Sequence, residues 1–230
     1  VKIQAGIALG YPLSVMSNHV SASPSHQLLR NTPIDSRFNV ASFGILGYEL
    51  LFREVEPLER KRIKQLINIY KDNREIFQFG RFSQNAYILD HNDIAWNVIN
   101  EDKSKQIVMH FNKLQLPDPK DNYLFSGQLN ENDTYSLKEV RQIHNLKTFG
   151  SLINMVLPVH LNPNGYLVHV ISRHHGLDSD KQEYTLKGSV LNKRAIILNS
   201  EWSGTGINDA IRVMGDFGSK MYIIEKVNED

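Results

Sequence analysis

Residues 11–50 read YPLSVMSNHV SASPSHQLLR NTPIDSRFNV ASFGILGYEL. A helix start stands in the middle of this stretch. Thr32 is placed to cap it, Pro33 suits the first helical position, and Asp35 stands where a carboxylate answers the cap. Ile34, Phe38 and Ala41 then follow at i, i+4 and i+7 and form one apolar face. Before the helix, Ser17 to Asn31 is rich in Ser, Asn, His and Pro and reads as a long loop of the kind that carries function. Ahead of that loop, the apolar stretch Ile7 to Ser14 ends in Tyr11-Pro12 and reads as a buried strand. After the helix, Gly44 to Phe52 is the next strand, and Pro57 opens a second helix. On that helix Ile63, Leu66, Ile67, Tyr70 and Phe77 share a stripe, with Gly80 as the stop. The order is strand, helix, strand, helix. Two such units cannot close a barrel, and a parallel sheet is normally covered on both faces. The first eighty residues therefore read as the end of a larger α/β domain whose beginning is absent.

From about Phe82 the pattern changes to strand-length apolar runs separated by turn chemistry. Ile94 to Ile99, Gln106 to Leu114, Tyr123 to Leu129, Ala195 to Leu198, Ile211 to Met214 and Met221 to Val227 are the candidate strands. Asn162-Pro163-Asn164-Gly165 is a strong turn signal. Leu137 to His160 fits helix or strand equally well. The expected fold class is multidomain, α/β followed by all-β, with residues 1–82 as the α/β part and 83–230 as an antiparallel, sandwich-like β domain.

Composition narrows the function. The 230 residues carry 26 Lys and Arg against 25 Asp and Glu, a formal charge of +1. A nucleic-acid partner, which needs an electropositive face, is not expected. With no cysteine, disulfides, thiolate chemistry and Cys-type zinc sites are excluded, and a reducing cytoplasm fits. No apolar run approaches the roughly 20 residues that span a bilayer, so no membrane is expected. Val1 to Met16 has an early lysine and several apolar residues, but a signal peptide is not expected, because Gln4, Tyr11 and Pro12 interrupt the run and no Ala-x-Ala site follows. A chain that opens on Val1 in mid-pattern reads as a piece of a longer protein.

Tyr11-Pro12-Leu13-Ser14-Val15-Met16, His19-Val20-Ser21-Ala22, Pro24-Ser25-His26-Gln27, Arg30, Thr32-Pro33, Arg37, and Phe43-Gly44 through Gly47-Tyr48-Glu49-Leu50 stand in one order, and together they resemble the late catalytic barrel of family 36 α-galactosidases. Tyr70-Lys71 and Arg74-Glu75 through Gln78-Phe79-Gly80 continue the match. Gly204-Thr205-Gly206 and Arg212 through Ser219 resemble the family's closing β domain, particularly in lactic-acid-bacterium-like members. Any one of these positions alone is better read as packing or turn chemistry. Their common order carries the resemblance.

The resemblance implies a retaining hydrolase of terminal α-1,6-linked galactose in raffinose, melibiose and stachyose, acting without a metal or organic cofactor. It implies a fold in which residues 1–82 are the last βα units of a (β/α)8 barrel, and a homo-oligomer at full length. One aspartate would be the nucleophile and another the acid/base, about 5 to 5.5 Å apart. Neither is matched here. The nucleophile's Lys-Trp-Asp motif does not occur, since Trp96 and Trp202 stand in Ala-Trp-Asn and Glu-Trp-Ser. The acid/base motif would fall just before Val1. No catalytic residue is therefore assigned, and the chain alone is expected to be inactive.

Asn18, His19, Ser21 and His26 follow a strand and are placed where barrel enzymes keep their active sites. Of these, Asn18 and His19 are the candidates for the substrate-pocket rim. Other clusters read as bland. Asp178-Ser179-Asp180 with Glu183 is a polar surface loop. His174-His175 would point to opposite faces of a strand and not share a metal. Arg60-Lys61-Arg62 with Lys64 is a solvated helix face. The alternative to a glycosidase portion is a stand-alone β-rich interaction or carbohydrate-binding module. Exposed aromatics at Tyr87, Trp96 and Trp202 would mark that module, and an exposed apolar side on the βα units would mark the glycosidase portion.

Overall fold

The structure, a computed structural model, describes residues 1–26, 29–85, 91–114, 123–124, 126–156, 158–193, 196–198 and 216–227. The α/β part begins with helix α1 (Lys2–Ala8). Strand β1 (Ser17–Ser21), helix α2 (Ile34–Ala41), strand β2 (Ile45–Glu49) and helices α3 (Pro57–Asp72) and α4 (Arg74–Phe79) follow. β1 and β2 pair in parallel, Ser17 opposite Ile45 and Ser21 opposite Glu49. Pro57 occupies the start of α3, as its missing N–H allows, and Leu58, Ile63, Leu66 and Tyr70 are its buried stripe.

Three local expectations are corrected. Ile7 to Ser14 is not a strand. Its first residues finish α1, and Leu13–Val15 forms a 3-10 turn after Tyr11-Pro12 breaks the chain. The expected loop from Ser17 opens with β1, whose partners lie beyond the whole of α2, so no local window reads the pairing. Thr32 does not cap α2. Pro33 takes the cap position without a side-chain bond, while the Thr32 N–H donates to Ser23 Oγ at 3.0 Å.

The second part is built on β3 (Arg81–Gln84), β4 (Asp93–Ile99), β5 (Lys105–Asn112) and β6 (Thr134–Glu139). An excursion then carries β7 (Ile143–Asn145), the short helix α5 (Ile153–Val156), α6 (Tyr166–Ser172) and β8 (Gly176–Asp178). The chain continues through β9 (Glu183–Lys187) and α7 (Gly188–Leu191) to β10 (Ser219–Lys226). The sheet order is β3-β4-β5-β10-β6-β9, antiparallel throughout, and β7 and β8 form a separate pair. The last strand thus enters the middle of the sheet. Among the described residues there is one large sheet rather than two facing ones of similar size. Tyr123 and Ile197 contribute only an isolated bridge, and Ile211 to Met214 lie outside the described residues.

Alternation along the strands gives the sheet two buried faces. On one, Ile94, Trp96, Val98, Ile107, Met109, Phe111 and Met221 join a single core with Phe38, Phe43, Leu66, Tyr70 and Phe77 of the α/β part. Trp96 meets Phe43 edge-on at 5.6 Å and Phe82 at 5.8 Å. On the other, Ala95, Ile99, Val108, Tyr135, Leu137, Tyr222 and Ile224 pack under Leu124, Leu129, Leu191, Ile196 and Leu198. The larger of the two cores is therefore shared by both parts of the chain.

Candidate functional site at the open face of the parallel strands

The parallel pair has one side turned to the helices. Val20 is buried there, and Leu46 and Tyr48 pack against the shared core. Burial of the Tyr48 hydroxyl pushes its pKa up to about 12, with Arg37 opposing and Asp35 assisting. The opposite side carries Ser17, His19 and Ser21 beside Ile45, Gly47 and Glu49, residue for residue in the parallel register. Ser17, His19, Ser21, Ile45 and Glu49 are exposed, and Gly47 is half-buried.

The two rim candidates are adjacent and face opposite ways. Asn18 is half-buried, and its Nδ2 donates to the Phe43 carbonyl at 2.7 Å. His19 stands on the open face opposite Gly47. A Cβ built at Gly47 would lie 2.7 Å from His19 Cδ2, so the imidazole rests against the space that only glycine leaves. Of the neighbouring expectations, Ser21 shares this face and His26 is exposed in the following loop. Glu49 is not packed away. It sits exposed at the carboxy end of β2, opposite Ser21, and only the strand register reveals that it shares a face with His19. An imidazole, two hydroxyls and one carboxylate provide the donors and acceptors that hold sugar hydroxyls. A single carboxylate on this face does not make the pair that glycosidic cleavage needs.

The amino end of β2 is fixed from behind. Tyr70 Oη donates to the Gly44 carbonyl at 2.6 Å and accepts from the Leu46 N–H at 3.2 Å and from Gln78 Nε2 at 2.8 Å. Gln4 Nε2 donates to the Val40 and Phe43 carbonyls at 2.8 and 3.0 Å. These bonds hold the backbone that leads into β2.

The other clusters do not assemble a site. Asp178 is exposed and lies 3.8 Å from Arg141, while Ser179 between the two aspartates is buried. His174 and His175 follow α6 in a turn rather than a strand, and both are exposed. Arg62, expected on a solvated face, is buried against Asp35. Trp96 is fully buried and offers no platform to a sugar, and Tyr87 and Trp202 lie outside the described residues. Among the described residues, no three His, Cys, Asp or Glu side chains gather to hold a metal. No helix among them is long and apolar enough to cross a membrane.

Residues 1–80 match the family model for melibiase. Residues 93–224, more than half of the chain, match the model for the glycosyl hydrolase family 36 C-terminal domain. The chain belongs to glycoside hydrolase family 36. This family 36 chain is 36% identical over 138 residues to α-galactosidase AgaA of Geobacillus stearothermophilus, covering 60% of itself and 19% of that protein. It is 34% identical over 117 residues to α-galactosidase 1 of Pediococcus pentosaceus, covering 51% of itself and 16% of the relative. It also superposes on the crystal structure of the α-galactosidase from Lactobacillus brevis with a TM-score of 0.70 at 24% identity, a likeness of fold. That alignment covers 99% of this chain and 24% of the other. A variant of AgaA in complex with raffinose aligns with a TM-score of 0.69 at 26% identity, over 98% of this chain and 24% of that one. The family 36 chain therefore spans under a fifth of these curated relatives and about a quarter of these solved structures.

Proposed function

We propose that the chain is the carboxy-terminal portion of a retaining α-galactosidase that hydrolyses terminal α-1,6-linked galactose of raffinose- and melibiose-type oligosaccharides, and that it is inactive alone. The observation that carries this reading is the open face of β1 and β2. Among the described residues the pair has only two strands, its face bears His19, Ser21 and Glu49, and apolar side chains of the same part are exposed. Ile3, Leu9, Tyr11, Val15 and Leu51 are all exposed. A parallel sheet is normally covered on both faces, so these features suit strands that complete a (β/α)8 barrel. In this reading residues 1–82 are the end of the barrel and 83–230 the closing β domain. His19 rims the substrate pocket, and Asn18 holds the strand that carries it. The full-length enzyme is a homo-oligomer.

Retention requires two carboxylates across one anomeric carbon. Asp35 is paired to Arg62 inside the fold, and among the described residues Glu49 stands without a second carboxylate on its face, so neither supplies the set. The test is release of nitrophenol from a nitrophenyl α-galactoside. The purified chain should release none. The same chain joined behind the amino-terminal three quarters of AgaA should restore turnover. Turnover by the chain alone that disappears when one of its own carboxylates is changed would overturn the proposal.

A further inference from the structure

A cavity of about 510 Å3 lies where the α/β part meets the excursion between β6 and β9. It is bounded by the first turns of α2 and α3, by the segment from Gln142 to Thr148, and by the entry to β10. Its volume falls within the ~300–1,000 Å3 of small-molecule sites. Neither helix has a side-chain cap. In α3 the Leu58 N–H is taken by the Arg173 carbonyl at 2.9 Å. In α2 the N–H groups of Ile34, Asp35 and Ser36 have no acceptor among the described residues, as the first turn of a helix leaves them. Ser36 lines the cavity, is only 3% exposed, and its hydroxyl has no hydrogen-bond partner among the described residues.

The charges around the cavity decide what it takes. Two arginines, two lysines and four carboxylates line it, with the His144 imidazole among them. Every cation is already engaged. Arg37 bonds Glu59 and the Ser21 and Thr32 carbonyls, and Arg62 bonds Asp35 and the Arg141 carbonyl. Lys147 Nζ lies 2.7 Å from His169 Nδ1, and Lys220 Nζ lies 3.4 Å from Glu139. An anion would find no uncommitted cation and would meet Glu56, which has no ion-pair partner among the described residues. A neutral polyol suits the same lining. Its hydroxyl oxygens accept from the α2 N–H groups and Ser36, and its hydroxyl protons go to the Glu56 carboxylate.

We propose that this cavity is a binding site for a neutral saccharide or polyol with vicinal hydroxyls, apart from the open face of β1 and β2. The proposal does not depend on catalysis by the parent enzyme, because its signal is binding to the chain itself. Amide spectra of the isotopically labelled chain would be followed during titration with glucose, galactose and sucrose, and separately with inorganic phosphate. The sugars should shift the amides of Ile34, Ser36 and Glu56 in a saturable way. Ser36→Ala should weaken binding about fivefold, the equilibrium worth of one neutral hydrogen bond. Glu56→Gln should weaken it at least as much, with the melting temperature of both variants unchanged. Sugars that leave these amides still, phosphate that alone moves them, or sugar affinity unaltered in both folded variants would each overturn the proposal.

Discussion

Arg62 and Asp35 form a buried ion pair between α3 and α2. Arg62 Nη2 and Nε lie 2.6 and 2.8 Å from the same Asp35 Oδ1, and the two side chains are 6% and 5% exposed. Arg62 also donates to the Arg141 carbonyl, so one guanidinium ties the α/β part to the segment that leaves β6. Two charges taken out of water gain little as a pair, but an orphaned one costs heavily. Arg62→Met should therefore lower unfolding free energy by about 3–5 kcal/mol in urea titrations. Adding Asp35→Leu to that variant should recover much of the loss, and a double variant no better than the single one would count against this account.

Tyr70 holds the turn into β2. Gly44 stands at φ +134°, a backbone region side chains rarely enter, and a Cβ there would lie 2.6 Å from Asn18 Nδ2 and 2.8 Å from the Met16 carbonyl. Tyr70→Phe removes the hydroxyl that bonds Gly44 and Leu46 without changing the ring stack on Phe77 at 5.6 Å. The expected loss is about 1–3 kcal/mol, the cost of leaving buried backbone groups unmet. Faster amide exchange should be confined to the start of β2. Exchange that rises evenly through the sheet would refute the local role.

His110 makes stability depend on pH. It is buried on β5, and burial lowers its pKa from 6.5 to about 4, with Asp93 raising it and Lys220 lowering it further. The folded imidazole stays neutral while the unfolded one takes a proton. Between pH 6.5 and 4 the unfolded chain therefore binds more protons, and stability falls as pH falls through that window. The contribution is complete above 6.5 and amounts to roughly 3 kcal/mol when lost. His110→Leu should flatten the urea midpoint between pH 7 and 5. An unchanged slope in the variant would show that other groups carry the dependence.

The shared core makes the two parts of the chain one folding unit. Trp96, Ile94, Val98, Met109 and Phe111 face the α/β part and not a partner sheet. A shortened chain of residues 81–230 would expose that whole face. It should bind a hydrophobic dye and lack a cooperative thermal transition, whereas the complete chain melts in one step. A monomeric 81–230 piece that melts cooperatively would show that the β part stands alone. Within the complete chain, Trp96→Ala should cost about 3–5 kcal/mol.

Local chemistry was enough to locate α2, α3, β2, β4, β5 and β10. Their signals lie within a few residues: Pro57 before an apolar stripe, or strand-length runs such as Ile94 to Ile99 between polar turns. Their order in a family-like stretch nominates Asn18 and His19 as rim candidates. That Asn18 turns inward to Phe43 while His19 turns outward is not legible there, because it depends on which side of β1 meets the helices.

The sequence by itself determined α2, α3 and the strands β2, β4, β5 and β10, the absence of cysteine, the balance of charge and the family. Tertiary structure alone decided the rest. Residues 17–21 become a strand only because β2 pairs with them across α2, and 219–226 enter the centre of the sheet between β5 and β6. Arg62 lies in what reads as a run of solvated charge, yet it is buried because Asp35 waits on another helix. Trp96 looks like a sugar platform in isolation and is a core residue because Phe43 and Phe82 close over it. In each case the deciding partner is remote in sequence, and hydrogen-bond pairing, charge compensation and apolar burial take effect only once the chain has brought that partner into contact.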